Sequence, residues 1–177
     1  MELARRAKKK TYKIDARCAN LEAVCYNLIA TQSPVASDFR LLQTIIYIDF
    51  NLQRMSDKVR RIARAAKRKV NNDIEFPPQM VAIIEQEAAS VYQVLGSTAA
   101  ALVNNDLAAV LALSEEDEAV HGAYQEFFRV FNRTETMEVA DDAQMDDFRR
   151  TVMVSRYLDR IAGISMECAY RLVFLLT

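Results

Sequence analysis

An all-α fold follows from three observations on this chain of 177 residues. Turn-forming residues are scarce, with 3 Gly and 3 Pro, whereas 51% of residues are hydrophobic and Ala, Leu, Arg, Lys and Glu are plentiful. Apolar residues recur at alternating spacings of four and three, the signature of left-handed helix packing. Two long segments, 33–63 and 146–172, repeat a pattern in which Asp-Phe-Arg opens an amphipathic helix and a polar-Arg-x-x-acid stretch, or its remnant, follows. Such a repeat sets the architecture before any single residue is considered.

The first helix spans about Met1 to Ala30, with Ile14, Cys18, Leu21, Cys25 and Leu28 as its expected core stripe. Ser33-Pro34 marks a new start, because Ser can cap a helix and Pro suits its first position. The second helix continues to about Lys69 on the stripe Leu41, Ile45, Ile48, Leu52, Met55, Val59, Ile62, Ala66. Residues 70–76 read as a linker, and Pro77-Pro78 restart the chain. The third helix carries Ile84, Ala88, Val91, Leu95, Thr98 and Leu102; Asn104-Asn105 ends it and Asp106 can cap the fourth. The fourth carries Val110, Leu113, Asp117, Val120, Tyr124, Phe127 and Phe131. After a polar loop from about Asn132 to Met145, the fifth carries Val154, Leu158, Ile161, Ser165, Cys168, Leu172 and Leu175.

Helices one and four align at an offset of 106, matching Thr11/Asp15 to Asp117/His121. Helices two and five align at the same offset, matching Gln53/Asp57 to Asp159/Gly163. Helix three then has no counterpart in the first half. The expected layout is therefore two pseudo-repeats of antiparallel helices, residues 1–70 with two helices and residues 77–177 with three, the first repeat lacking its opening helix.

The net charge of −1 conceals an asymmetry. Residues 1–70 hold 16 Lys and Arg against 6 Asp and Glu, net +10; residues 71–177 hold 7 against 18, net −11. Such a dipole speaks to partners and orientation. No apolar run reaches the roughly 18 residues needed to span a bilayer. The start, Met1 to Lys13, is polar and basic and does not read as a signal peptide. Cys18, Cys25 and Cys168 lack metal-type spacing and fit a core kept reduced in a cytoplasm.

Each aligned pair lies four residues apart and projects from one helix face. Converging carboxylates need a cation, and hard, oxygen-binding metals suit them. Asp15, Asp57, Asp117 and Asp159 are the candidate ligands, and Asp117 stands out because it lies on the apolar stripe itself. Ordinary alternatives stand beside this. Asp15 and Asp57 have basic neighbours and fit surface ion pairs, Asp117 lies within a run of acids, and Asp38 suits the first-turn dipole. His121, the sole His, is placed to meet Asp159.

Gln32 to Arg40, followed by Leu52-Gln53-Arg54-Met55-Ser56-Asp57, resembles the hallmark of PhoU proteins. Tyr157 to Ala162, continuing through Arg171 to Leu175, resembles the closing segment of that family, especially its actinobacterial members. The resemblance implies paired three-helix bundles and a cytoplasmic role in phosphate homeostasis, exerted with the phosphate ABC transporter and a sensor histidine kinase to keep the starvation response off. It implies metal clusters on the paired acid motifs. Here Thr11, Gln53, His121 and Gly163 replace one acid in each pair, so weakly bound divalent or iron-type ions are the expectation.

No nucleophile–base arrangement or phosphate-cradling Gly-rich loop accompanies the single His, so catalysis is not expected. Two classes of function remain. One is a regulatory adaptor, docking through Arg54, Lys58, Arg60, Arg61 and Arg64, self-associating as a homodimer and reaching the membrane only through partners. The other is a helical interaction protein whose basic half meets nucleic acid or an anionic membrane. Against nucleic acid, no aromatic residues interleave the cations as stacking platforms.

Overall fold

The computed structural model describes residues 1–72, 78–133 and 142–176; of residues 69–72, 142–144 and 147 it describes the backbone alone. Five helices follow in order: α1 (Glu2–Gln32), α2 (Ala36–Asn72), α3 (Pro78–Asn104), α4 (Leu107–Arg133) and α5 (Asp142–Leu176). No strand occurs among the described residues. The helices therefore run further than the sequence suggested: α2 continues through residues 70–72 of the expected linker, and α5 begins inside the expected loop. The remainder of both connections, residues 73–77 and 134–141, lies outside the described residues.

Among the described residues, helix α1 shares an extended interface with α2 alone. Helices α3, α4 and α5 pack on one another, and the α2–α5 contact joins the two groups. The main core lies along that seam and inside the three-helix group, around Val94, Val110, Leu113, Val120, Ala162 and Leu172, each at most 1% exposed. A smaller cluster of Met80, Ile83 and Phe127 closes the other end of the same group.

The expected α1 stripe splits. Cys18 and Cys25 are buried against α2, but Ile14, Leu21 and Leu28 stay exposed. The reason is that α1 has one extended neighbour, which covers one side of a stripe broad enough for two. Leu41 of α2 is likewise exposed. In α3 the core register falls on Met80, Ile83, Glu87, Val91, Val94, Thr98 and Ala101, so Ala88 faces outward and Glu87 inward.

The helix ends show how local chemistry works. Ser33 does not cap α2; it ends α1 in the left-handed conformation, at φ 44° and ψ 60°. Helix α2 opens at Ala36, with the Phe39 amide bonded to the Val35 carbonyl at 2.9 Å, so Pro34 precedes the first turn. Between α3 and α4, Asn105 takes a left-handed φ of 53°, as Asn tolerates. Asp106 then caps α4, its carboxylate accepting the Ala109 amide at 3.0 Å.

Candidate functional site

Helices α1 and α2 bring the first set of acids together around an arginine. Asp15 of α1 and Arg60 of α2 form a direct ion pair, and the same guanidinium lies 3.9 Å from Asp57. Arg61 Nε donates to Asp57 at 2.8 Å, and Lys58 Nζ lies 3.8 Å away. The Arg61 hydrogen bond, aided by the Lys58 and Arg60 charges, holds the Asp57 carboxyl below its usual range. Arg60 also lies 5.5 Å from the Tyr12 ring, which steadies it between the acids. Thr11 is buried and donates to the Lys8 carbonyl at 2.8 Å, so its hydroxyl is spent on its own helix. A guanidinium thus occupies the position between the acids that a metal ion would need. This set does not fit a metal cluster.

Helices α4 and α5 bring the second set together differently. His121 Nδ1 lies 3.2 Å from Asp159 Oδ1, and Gln125 Nε2 lies 3.0 Å from His121 Nε2. The ring thus bridges the Asp159 carboxylate and the Gln125 amide. Asp117 sits beside this pair, its carboxyl pushed up by burial and by the Asp159 charge and drawn down by His121. Gly163, the counterpart of Asp57, has open space where a Cβ would stand. Among the described residues no three His, Cys, Asp or Glu side chains are grouped so as to hold a metal ion. The second set supplies the parts of an oxygen- and nitrogen-donor site without its closing acid.

Beneath the second set lies a residue that the apolar spacing did not single out. Glu87 of α3 is fully buried; Ser155 of α5 donates to one of its oxygens at 2.7 Å and the other has no partner. Burial, reinforced by the Asp159 charge, pushes its carboxyl up to about 8. Asp49 and Asn51 of α2 are also buried polar groups outside the expected stripe. Burial raises the Asp49 carboxyl, which hydrogen-bonds with Cys18. The signal for Glu87 is its place four residues from both Ile83 and Val91.

The proposed docking cations are mostly engaged within the fold. Arg54 donates to Glu167 at 2.8 Å and to Asn51 at 2.7 Å. Lys58, Arg60 and Arg61 share Asp57, as above. Arg64 is exposed and lines two neighbouring clefts.

Comparison with known proteins now adds to this geometry. The PhoU domain matches residues 1–66, where Asp15, Gln53 and Asp57 lie. The phosphate-specific transport system accessory protein PhoU homolog 1 of Methanothermobacter thermautotrophicus is 24% identical across 100% of this chain and 80% of its own length. The phosphate-specific transport system accessory protein PhoU of Edwardsiella tarda is 26% identical across 90% of this chain. The chain is thus similar to PhoU proteins, by family model over its first 66 residues and by alignment over nearly its whole length. It spans 63% of the length of the Edwardsiella PhoU. The crystal structure of PhoU from Pseudomonas aeruginosa superimposes with a TM-score of 0.87 over 99% of this chain and 81% of that one, at 20% identity. The PhoU structure from Streptococcus pneumoniae gives 0.82 over 99% and 80%, also at 20% identity. At that identity the structures speak to the PhoU fold, a bundle of helices. No helix of the described residues is long and apolar enough to cross a membrane.

Proposed function

We propose that this chain is a cytoplasmic regulator of phosphate uptake and phosphate-starvation signalling. It docks on the ATPase of a phosphate ABC transporter, on the associated sensor histidine kinase, or on both, and it acts by binding without catalysis. The observation that carries this reading is the alignment of essentially the whole chain with proteins named as accessory to the phosphate-specific transport system. The basic face of α2 is the proposed contact, with Arg61 and Arg64 the exposed members of the set Arg54, Lys58, Arg60, Arg61 and Arg64. Charged surfaces of this kind set association rate and salt sensitivity. Two copies are proposed to associate through the uncovered side of α1, where Ile14, Leu21 and Leu28 are exposed. Any metal would be a single divalent or iron-type ion held weakly near Asp117 and Asp159, with no part in partner recognition.

The test is capture of the transporter ATPase and kinase on immobilised protein, with starvation-gene expression measured in a deletion strain at high phosphate. Arg61→Glu/Arg64→Glu should reduce capture while the helical circular dichroism signal stays, because exposed charges contribute little to stability. If neither partner is captured and deletion leaves expression unchanged, the reading fails.

A further inference from the structure

We propose that the seam between the C-terminal part of α5 and the facing stretch of α2, centred on Arg171, docks an acidic helix of a partner protein. Two rows of side chains build it. Tyr47, Phe50 and Arg54 stand at i, i+3 and i+7 on α2, and Glu167, Tyr170, Arg171 and Phe174 stand at i, i+3, i+4 and i+7 on α5. That spacing puts each row on one side of its helix. The rows are tied to each other at both ends. Arg54 donates to Glu167 at 2.8 Å, and the Arg171 guanidinium lies 5.0 Å from the centre of the Tyr47 ring.

Arg171 is held without a carboxylate. Its guanidinium lies 3.8 Å from the centre of the Phe174 ring, and its Nε is buried with no hydrogen-bond partner. The acid one turn before it, Glu167, is committed to Arg54. Contact with the two rings recovers part of the cost of taking the cation out of water. Shielded charges are nevertheless ordinarily paired, and this one is not among the described residues. Arg171 as a whole stays partly exposed. An incoming carboxylate can therefore reach the outer edge of the fork, whose planar geometry suits two parallel hydrogen bonds.

The rings show what else the occupant carries. Phe50 is 60% exposed and Tyr170 49%. Exposed aromatic rings beside arginine are the residues that dominate protein–protein contacts. The furrow between two packed helices takes a third helix with one apolar face. Each row covers seven residue steps, about 10 Å, which two turns of such a helix would match. A nucleic-acid strand also stacks on rings, but its affinity comes from many neutralised phosphates. Here Glu167 offsets Arg54 and leaves one unpaired cation. One positive charge among four rings fits a carboxylate on an otherwise apolar face. The strip lies apart from Arg61 and Arg64, so this inference goes beyond the docking reading and shares only Arg54 with it.

The probe is a set of synthetic peptides of about 20 residues, long enough to hold a helix. They share one apolar face and carry either Glu or Gln at its centre. Each is titrated into the full chain by fluorescence anisotropy. The expected result is saturable binding, at least about fivefold tighter for Glu than for Gln, since the charge-assisted bond is lost with the carboxylate. Arg171→Gln should abolish that preference. Phe50→Ser should weaken both peptides, and because Phe50 is exposed the fold should be retained. Arg64→Ala should change neither, which separates a failure here from a failure of the docking reading. An Arg171 that serves only the C-terminal end of α5 would leave the preference for Glu intact in Arg171→Gln. That outcome overturns the proposal. So does equal binding of the Glu and Gln peptides, absence of saturable binding, or tighter binding of a single-stranded oligonucleotide that is lost in Phe50→Ser.

Discussion

Ser155 of α5 donates a 2.7 Å hydrogen bond to Glu87 of α3, and both side chains are wholly shielded from solvent. The pair joins the two helices through a carboxyl that burial keeps protonated up to about pH 8. The ordinary value for Glu is 4.5. In the folded chain Glu87 thus holds its proton over a range in which the unfolded chain has released it. Stability should fall as pH rises from 4.5 toward 8 and then level off.

Glu87→Gln removes that titration while keeping shape and hydrogen-bonding groups. It should flatten the decline and make the protein more stable than wild type at pH 8, by an amount on the order of a few kcal/mol. Glu87→Ala should instead cost about 2–3 kcal/mol at pH 5, through the cavity and the orphaned Ser155 hydroxyl. Urea unfolding at both pH values checks the pair. A wild-type pH dependence in Glu87→Gln would show that Glu87 is not the group responsible.

Arg60 links α1 to Asp57 on its own helix through Asp15. Arg60→Ala should cost about 1–2 kcal/mol, a value above that of a fully exposed pair because the site is partly shielded. Asp57 adds a pH signature. Its carboxyl is held below the ordinary 3.8, foremost by Arg61, so its contribution is present above that pH and is lost as pH falls through the lower folded value. A double-mutant cycle of Arg60→Ala with Asp15→Asn should give a coupling energy that diminishes in high salt.

Gly163 stands where the first repeat has Asp57, and a side chain there meets open space. Gly163→Asp would add the missing acid to the surface that carries Asp117, His121 and Asp159. Divalent or iron-type metal binding should rise at least about tenfold in calorimetric titration, since ligand charge count tunes affinity for hard cations. Gly163→Ala should leave binding unchanged and stabilise the helix by about 0.5–1 kcal/mol. Equal binding by the Asp and Ala variants would count against the placement.

All three thiols are buried. Cys18 is pushed up to about 11 by burial and then by Asp49, and Cys168 to about 11 mainly by burial. A thiol-exchange reagent at pH 8 should therefore react slowly with folded protein and release three equivalents in denaturant. Rapid stoichiometric reaction of the native chain would contradict the burial.

Helix identity and order were legible in the sequence because scarce Gly and Pro leave few places to break the chain. The α4 and α5 stripes were also legible, since each faces a complete three-helix core: Val110, Leu113, Val120 and Phe127 all fall inside, as do Leu158, Ile161, Cys168 and Leu172. The α1 stripe misled, because spacing reports which residues share a face and not whether a neighbour covers it; Ile14, Leu21 and Leu28 show the difference. Glu87 was missed because an apolar template passes over an acid that a hydroxyl on another helix satisfies. At the site, the fourfold spacing located both acid sets, but Arg60 between Asp15 and Asp57 could be found only from the meeting of α1 and α2.

Among the described residues, α2 is the one extended neighbour of helix α1, whereas every other helix has at least two. The time the chain spends partly open should follow from this. Detaching α1 breaks one interface and leaves the α3–α5 core intact, so its amide protons should exchange by a sub-global opening well below the free energy of complete unfolding. The half of the molecule that carries the net charge of +10 would then come in two kinetic grades: a loosely held outer rod, and an α2 pinned to the slowest-exchanging part of the fold through α5.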